Sequence, residues 1–172
     1  PDSLGQTLTY KEGAGPALKK MTLDQMIASF SIDKNNKKLL LVYEAIKRTK
    51  KKINKKKALI GFVGGPLTLS FFMFDNNKRK KYSEVLVFFK KNRKKITQLF
   101  KLLEKAIAEH AIGQISAGAQ AIQIFDTWAG VAKGKDLKVY SINPIKRISS
   151  LIKKKKPNTP IIVFPRNVGR KY

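Results

Sequence analysis

The sequence predicts an α/β protein in which short buried strands alternate with amphipathic helices. Its 172 residues suffice for one domain, and a hydrophobic content of 42% suffices for a core. Three apolar runs, at residues 58–63, 119–125 and 161–164, each end at a polar or glycine-rich loop and read as strands buried on both faces. Strands that alternate with helices favour parallel pairing through right-handed crossovers. Three strands cannot close a barrel, so the pattern is compatible with a small open sheet or with part of a larger barrel. The missing initiator Met and the abrupt last residues favour part of a larger barrel.

The segment before the first strand contains a hairpin and two helices. Residues 5–15 combine three glycines with alternating polar and apolar residues, which predicts a short hairpin or extended loop. Thr22 or Asp24 is placed to cap a short helix that runs through Ile27. Residues 39–53 repeat apolar side chains at helical spacing and predict a longer helix.

The segments between the strands predict further helices. One begins at Leu67, before a polar loop at residues 75–81, and Ser83 is placed to cap another that runs through residue 91. A long helix spans residues 93–117 and ends at Gly118, the residue type expected there. Residues 135–156 are mostly helical, with Pro144 inside and a separate turn before it.

The net charge of +26 is the strongest feature of the composition. Attraction to a polyanion and a compositional bias towards lysine both explain it. Only six of the 37 basic residues are arginine, the side chain that proteins use most to recognise phosphates and bases. We therefore favour a compositional bias towards lysine as the explanation of the charge. The absence of cysteine excludes disulfides and thiolate metal sites, and no signal peptide or membrane span is visible. We therefore expect a cytoplasmic protein without a nucleic-acid or membrane partner.

The carboxyl ends of the predicted strands are where a site is expected. In parallel α/β folds the chemistry lies at these ends, which here are residues 64–72, 126–130 and 165–167. Asp126 and Thr127 have the right chemistry to hold a polar ligand there. Asp126 is equally suited to capping the turn that follows, and the sequence leaves both roles open.

The remaining residues with chemical potential favour structural roles. Trp128 is more typical of packing than of ligand stacking. His110 is the only histidine and falls in the middle of a predicted helix, which argues against a catalytic role in a loop-borne site. Spacings typical of metal ligands are also missing from the sequence.

Two segments resemble motifs of one known family. Residues 59–69 read LIGFVGGPLTL and are similar to the pattern L-I-G-F-x-G-x-P-x-T-L. Residues 114–130 read QISAGAQAIQIFDTWAG and resemble Q-x-x-A-G-A-x-A-x-x-I-F-D-[ST]-W-x-G. Both patterns are those of the uroporphyrinogen decarboxylases, and weaker similarities follow in the same order at residues 1–5, 12–16, 43–46 and 160–164.

The resemblance implies a fold, an activity and an assembly. The fold is a (β/α)₈ TIM barrel, of which residues 1–172 would be the central part, without the first and last strands. The activity is removal of four acetate carboxylates from uroporphyrinogen III, giving coproporphyrinogen III, without a metal or organic cofactor. The assembly is a homodimer. The family's arginines, aspartate and histidine match nothing in this chain, so its catalytic residues are expected outside it, and we expect residues 1–172 alone to be inactive.

The resemblance also assigns substrate-binding positions. Thr127 matches a hydroxyl that contacts the substrate, and Phe62 and Phe125 match apolar residues of the pocket floor. Phe72 stands where the family has a tyrosine, and a basic segment at residues 76–81 replaces one rich in glycine and serine. A catalytically impaired porphyrinogen-binding relative therefore fits these residues too.

Two more classes of protein fit parts of the sequence. The corrinoid methyltransferases share the fold, but their zinc-binding His-x-Cys is replaced here by residues 164–166, which read FPR. A lysine-rich nucleic-acid-binding protein fits the charge, but it is less favoured than the enzymes because the charge is explained by lysine bias.

Overall fold

A small hairpin and two helices open the chain. The computed structural model describes residues 1–11, 15–75 and 82–169. After a 3₁₀ turn at Asp2–Leu4 come the antiparallel strands β1 (Leu8–Lys11) and β2 (Gly15–Leu18), then helices α1 (Leu23–Ala28) and α2 (Ile32–Lys52).

The remaining elements alternate strands with helices. In chain order they are β3 (Ile60–Gly64), α3 (Pro66–Asp75), α4 (Tyr82–Lys91), α5 (Arg93–Ser116), β4 (Ala121–Asp126), α6 (Gly134–Leu137), α7 (Asn143–Lys155) and β5 (Ile161–Pro165). A 3₁₀ turn at Ala129–Val131 follows β4, and a π-helical turn at Lys138–Ile142 joins α6 to α7.

The last three strands form one parallel sheet in the order β3-β4-β5. Ile60 pairs with Ala121, and Ile122 pairs with Ile161, so the carboxyl ends of all three strands meet at one edge of the sheet. Each connection between neighbouring strands contains helices, as parallel pairing requires. The predicted α/β alternation is confirmed.

One face of this sheet is buried by helices. Its buried side chains include Val63, Ile122 and Ile124, with relative exposures of 4%, 0% and 0%. Helix α5 lies against β3 and β4, and it also packs against α2 and α7. Leu99 and Leu103 of α5 have no exposed surface, so the core lies between this helix layer and the sheet.

The opposite face of the sheet is open. Phe62 is 66% exposed and Phe164 is 49% exposed, while Ile60 and Ile162 beside them are 47% and 41% exposed. The prediction of strands buried on both faces is therefore wrong for the described residues. The apolar runs are those of strands covered on two sides, but helices cover only one side here.

Several helix ends follow the sequence signals. Thr22 accepts a hydrogen bond from the Gln25 amide, and the Gln25 side chain accepts from the Thr22 amide, which forms a capping box. Gly118 follows α5 with φ 119°, a left-handed conformation that favours glycine. The Ala119 amide then donates to the Gln114 carbonyl, which closes a Schellman turn.

Other boundaries differ from the prediction. Helix α2 begins at Ile32 rather than at residue 39, and α3 begins at Pro66, one residue earlier than expected. Ser83 lies inside α4, which begins at Tyr82, so it does not cap that helix. Residues 76–81, most of the predicted polar loop and the substituted basic segment, lie outside the described residues, as do residues 12–14 of the hairpin.

The helix around Pro144 continues through a change of geometry. Pro144 is the second residue of α7, so its missing amide hydrogen falls where the hydrogen-bond pattern changes from the π-helical turn to the α-helix. The preceding π-helical turn takes the place of the separate turn that the sequence suggested. A proline is thus accommodated within one helical stretch.

Candidate functional site

Backbone hydrogen bonds hold the loops at the carboxyl edge of the sheet together. The Gly65 amide donates to the Phe125 carbonyl at 2.7 Å, which ties the loop after β3 to β4. The Arg166 amide donates to the Asp126 carbonyl at 3.2 Å, and the Gly130 amide donates to the Arg166 carbonyl at 3.0 Å. The three predicted site segments therefore meet.

Asp126 lies behind the sheet rather than on its open face. Its side chain has no exposed surface and accepts hydrogen bonds from the Thr68 hydroxyl at 2.7 Å and from the Ser141 hydroxyl. Burial raises the pKa of this carboxyl above its ordinary value, while the two hydroxyl donors oppose the shift. Asp126 thus fastens α3 and the π-helical turn to β4. The sequence left two roles open for Asp126, binding a ligand or capping the next turn. Its hydrogen bonds to Thr68 and Ser141 match neither role.

Three phenylalanines form a row across the open face, and we call Phe62, Phe125 and Phe164 the aromatic row. The ring centroids of Phe62 and Phe125 lie 5.9 Å apart, and those of Phe125 and Phe164 lie 6.0 Å apart, both in edge-to-face geometry. Two of the predicted substrate-binding residues are therefore neighbours. Phe164 was missed as a candidate, although it pairs with Phe125 in register on the same face.

The other two predicted site residues, Thr127 and Phe72, lie in the segments that follow β4 and β3. Thr127 directly follows β4 and is half-buried. Phe72 lies in α3 and is 52% exposed, whereas its neighbour Phe71 is 1% exposed. Ring contacts and hydrogen bonds of the described residues connect neither of them to Phe62 or Phe125. Their substrate-binding roles stay predictions.

Trp128 has the packing role that its residue type indicated. Its ring lies edge-to-face against Phe71 with centroids 6.3 Å apart, and it packs against the core. Its amide donates to the Thr68 hydroxyl oxygen at 3.3 Å. The loop after β4 is therefore fixed to α3 at the same threonine that bonds Asp126.

The main chain of Phe62 is held by a side chain that the sequence did not single out. The Phe62 amide donates to Gln114 Oε1 at 3.0 Å, and Gln114 Nε2 donates to the Phe62 carbonyl at 2.8 Å. Gln114 is 3% exposed and follows Leu103, Ile107 and Ala111 on the buried face of α5. A glutamine on a mostly apolar helix face was the available signal.

His110 connects the same glutamine to α2. Its Nε2 lies 3.0 Å from Gln114 Nε2, and its Nδ1 lies 3.1 Å from the Tyr43 hydroxyl. Burial lowers the pKa of His110. Burial also raises the pKa of Tyr43, to which the nearby Glu109 contributes. We call Tyr43, His110, Gln114 and the Phe62 main chain the clasp.

Neither a metal centre nor a membrane span is found within residues 1–11, 15–75 and 82–169. That part of the chain contains no group of three or more His, Cys, Asp or Glu side chains placed to hold a metal ion. Its helices include none with the length and apolar character of a membrane span.

Known proteins of similar sequence share one family name. A sequence model of the uroporphyrinogen decarboxylase (URO-D) family matches residues 1–172. The chain is 34% identical over 172 residues to a uroporphyrinogen decarboxylase of Rickettsia bellii and 36% identical over 176 residues to one of Orientia tsutsugamushi. A Rhodospirillum rubrum decarboxylase is 33% identical. Each alignment covers all of this chain and 49–50% of the relative, so the chain spans about half the length of these relatives.

A solved structure shows the same fold. A methyltransferase from Methanosarcina mazei matches 94% of this chain and 47% of its own with a TM-score of 0.66, at 15% sequence identity. The described strands and helices are accordingly a portion of a (β/α)₈ barrel. Within that class of fold, the chain belongs to the uroporphyrinogen decarboxylase family.

Proposed function

We propose that this chain is part of an enzyme that removes the four acetate carboxylates of uroporphyrinogen III and yields coproporphyrinogen III. The observation that carries the proposal is the aromatic row, which places Phe62 and Phe125 together on the open face of the sheet. The proposal rests further on membership of the family and on relatives named for this activity. Additional strands would complete the barrel around this face.

The proposed chemistry assigns this chain a binding role. Protonation of a pyrrole ring makes it an electron sink, so the bond to the carboxylate breaks, its electron pair enters the ring and CO₂ leaves. A proton then adds to the exocyclic methylene carbon and the ring loses the proton it had gained, which gives the methyl group of the product. Phe62 and Phe125 would offer apolar contact to the tetrapyrrole, and the Thr127 hydroxyl would donate a hydrogen bond to it. The Asp126 carboxyl is fully buried behind the sheet, so it is not available as the acid or base. The groups that transfer protons and hold the carboxylates are therefore expected outside this chain, and no cofactor is expected.

The net charge of +26 has a use in such an enzyme. The substrate is a polyanion, and a strongly positive protein attracts it over distances limited by the Debye length of about 8 Å at physiological salt. We propose a cytoplasmic homodimer without a nucleic-acid or membrane partner. Sedimentation of the complete protein, alone and with duplex DNA or anionic vesicles, tests the dimer and the absence of these partners, and fractionation of cells tests the location.

Phe72 provides the sharpest test of the activity. A neutral hydrogen bond contributes about 0.5–1.5 kcal/mol, so restoring the family's hydroxyl should raise kcat/KM about 2- to 12-fold. We expect the complete Phe72→Tyr protein to show this gain in anaerobic decarboxylation of uroporphyrinogen III. The matched control is Phe88→Tyr, which places a hydroxyl on a partly exposed ring of α4 that packs against Phe74.

The outcomes separate an enzyme from an impaired relative. Turnover by the wild type with a gain only in Phe72→Tyr supports the proposal. Binding of uroporphyrin without product in the wild type and in Phe72→Tyr would favour the impaired relative and remove the decarboxylase assignment. A methyltransferase activity has less support, because the 15% identity shows the fold alone and residues 164–166 replace the expected zinc ligands.

A further inference from the structure

The clasp holds both polar groups of the Phe62 main chain. The Gln120 amide donates to the Leu59 carbonyl and the Gly65 amide donates to the Phe125 carbonyl, so alternate residues of β3 bond to β4. Phe62 lies between them and turns its amide and carbonyl towards the other edge of β3. Gln114 bonds both groups, at 3.0 and 2.8 Å. The backbone at Phe62 is thereby fixed from α5.

Two glycines leave the room that the clasp needs. A Cβ at position 61 would lie 2.6 Å from Gln114 Oε1, and a Cβ at position 113 would lie 2.4 Å from Cζ of Tyr43. Both distances are shorter than real contacts. The glutamine amide and the tyrosine ring therefore occupy positions that only glycine permits beside them.

The protonation of His110 follows from the hydrogen-bond partners of Gln114. Oε1 accepts from the Phe62 amide and Nε2 donates to the Phe62 carbonyl, so the orientation of the side-chain amide is determined. The second hydrogen on Gln114 Nε2 faces His110 Nε2, which must accept it. The imidazole proton is then on Nδ1 and is donated to the Tyr43 hydroxyl. A protonated imidazole would set two N–H groups against each other.

We propose that Gln114 is a positioning residue for the substrate-facing Phe62, and that it holds Phe62 only while His110 is neutral. The inference rests on the proposed function where it concerns substrate, and on the clasp alone where it concerns the Phe62 backbone. The ring of Phe62 is 66% exposed beside Phe125, so a shift of its backbone moves part of the open face. Gln114 itself touches no substrate in this proposal.

The pH dependence has a defined sign. The pKa of His110 in the folded chain is below its ordinary value, so the neutral form and the clasp are complete above about 6.5. Both are lost as the pH falls through the folded pKa. The groups that face the ring are the Tyr43 hydroxyl from α2 and Gln114 from α5, with Glu109 acting on Tyr43.

The first experiment measures the clasp in the 172-residue chain. Nitrogen-15 NMR should show a protonated Nδ1 and an unprotonated Nε2 on His110 at pH 7. Hydrogen-exchange protection of the Phe62 amide, relative to the Val63 amide that faces β4, should fall as the pH is lowered from 7 until the same NMR signals show that His110 is protonated. In a His110→Gln variant, whose carbonyl oxygen accepts at every pH, that fall should disappear. A protonated Nε2 at pH 7, or wild-type protection that does not change while His110 becomes protonated, overturns the proposal.

The second experiment measures the consequence for substrate in the complete protein. We expect Gln114→Glu to raise KM about tenfold with kcat within about twofold, because a carboxylate accepts from the Phe62 amide but cannot donate to its carbonyl or to His110. The matched control is Gln120→Glu. Among the described residues, the side chain of Gln120 only accepts hydrogen bonds, from the Leu59 amide at 3.2 Å and from Lys50 Nζ at 2.6 Å, and a glutamate side chain can replace it.

The two experiments separate this proposal from the proposed function. Equal KM values in Gln114→Glu and Gln120→Glu, with normal wild-type turnover, overturn the positioning role while the decarboxylase assignment stands. Absence of turnover in the wild type overturns that assignment, and the NMR results then decide the positioning of Phe62 alone. A pH profile of kcat/KM that keeps its acidic limb in His110→Gln also counts against the role of His110.

Discussion

A single threonine connects three parts of the site. The hydroxyl of Thr68 donates to the buried Asp126 carboxyl and accepts from the Trp128 amide. Thr68 is 4% exposed, so neither partner has water as a ready substitute. A hydrogen bond inside a protein adds little on balance, but an unsatisfied buried partner costs much more.

Removing this hydroxyl should therefore destabilise the chain. Thr68→Val keeps the shape but removes one hydroxyl donor to Asp126 and the oxygen to which the Trp128 amide donates. We expect the free energy of unfolding to fall by about 1–3 kcal/mol in urea denaturation. Thr97→Val is the control, because the exposed Thr97 hydroxyl donates only to the Arg93 carbonyl of its own helix, and its effect should stay within about 0.5 kcal/mol. Equal midpoints for the two variants would contradict this role of Thr68.

Sequence reasoning at this scale found the site segments but not the direction of each side chain. The period of two along β4 decides that Phe125 faces the open side and Asp126 the helices, and the exact strand register was needed to assign it. The contacts of Gln114 and His110 were not predicted, because their partners, Phe62 and Tyr43, lie 52 and 67 residues away in the chain. Such contacts leave no local pattern.

Helices α5 and α7 are linked by a paired set of hydrogen bonds. Arg147 donates from Nε to Glu104 Oε2 and from Nη2 to Glu104 Oε1, both at 2.7 Å. The Glu104 side chain is 6% exposed and that of Arg147 is 54% exposed, so the carboxylate is buried and the guanidinium is half in water. The hydrogen bond to Glu104 raises the pKa of Arg147.

Arg147→Ala should destabilise the packing of these helices. The variant leaves the Glu104 carboxylate buried without its cation. Because half of the arginine is solvated, we expect a loss of about 1–2 kcal/mol rather than the larger cost of a fully buried pair. The control is Arg48→Ala, whose pair with Glu44 is exposed on both sides and should give no measurable change in thermal denaturation. A similar shift in both variants would show that burial of Glu104 does not matter.

Elements were predictable where the local signal was strong. The capping box at Thr22 and the glycine after α5 set two helix ends correctly, since both are local hydrogen-bond motifs. The start of α2 was predicted seven residues late, because residues 32–38 are largely polar and show no apolar repeat. Ser83 has the right residue type for a cap but falls within α4. Residue preference alone does not set the register of a helix start.

At the scale of the whole molecule, the class of fold followed from the order of the apolar runs. The exposure of one sheet face did not, because a run of apolar residues looks the same whether one or two layers of helices cover it. The structure thus combines an exposed apolar surface with a high net positive charge. The aromatic row lies on an open surface, and the chain around it carries a charge of +26.

This combination makes the colloidal behaviour of the 172-residue chain depend on ionic strength. Like charges keep copies apart where the Debye length is about 30 Å, at about 0.01 M salt, and lose that effect where it is about 3 Å, at about 1 M. Attraction between open apolar faces then dominates. We expect static light scattering to show a positive second virial coefficient at low salt and a negative one at high salt. A variant with Phe62→Gln and Phe164→Gln should remain monomeric under both conditions. Association of that variant at high salt would exclude the aromatic row as the surface through which copies associate.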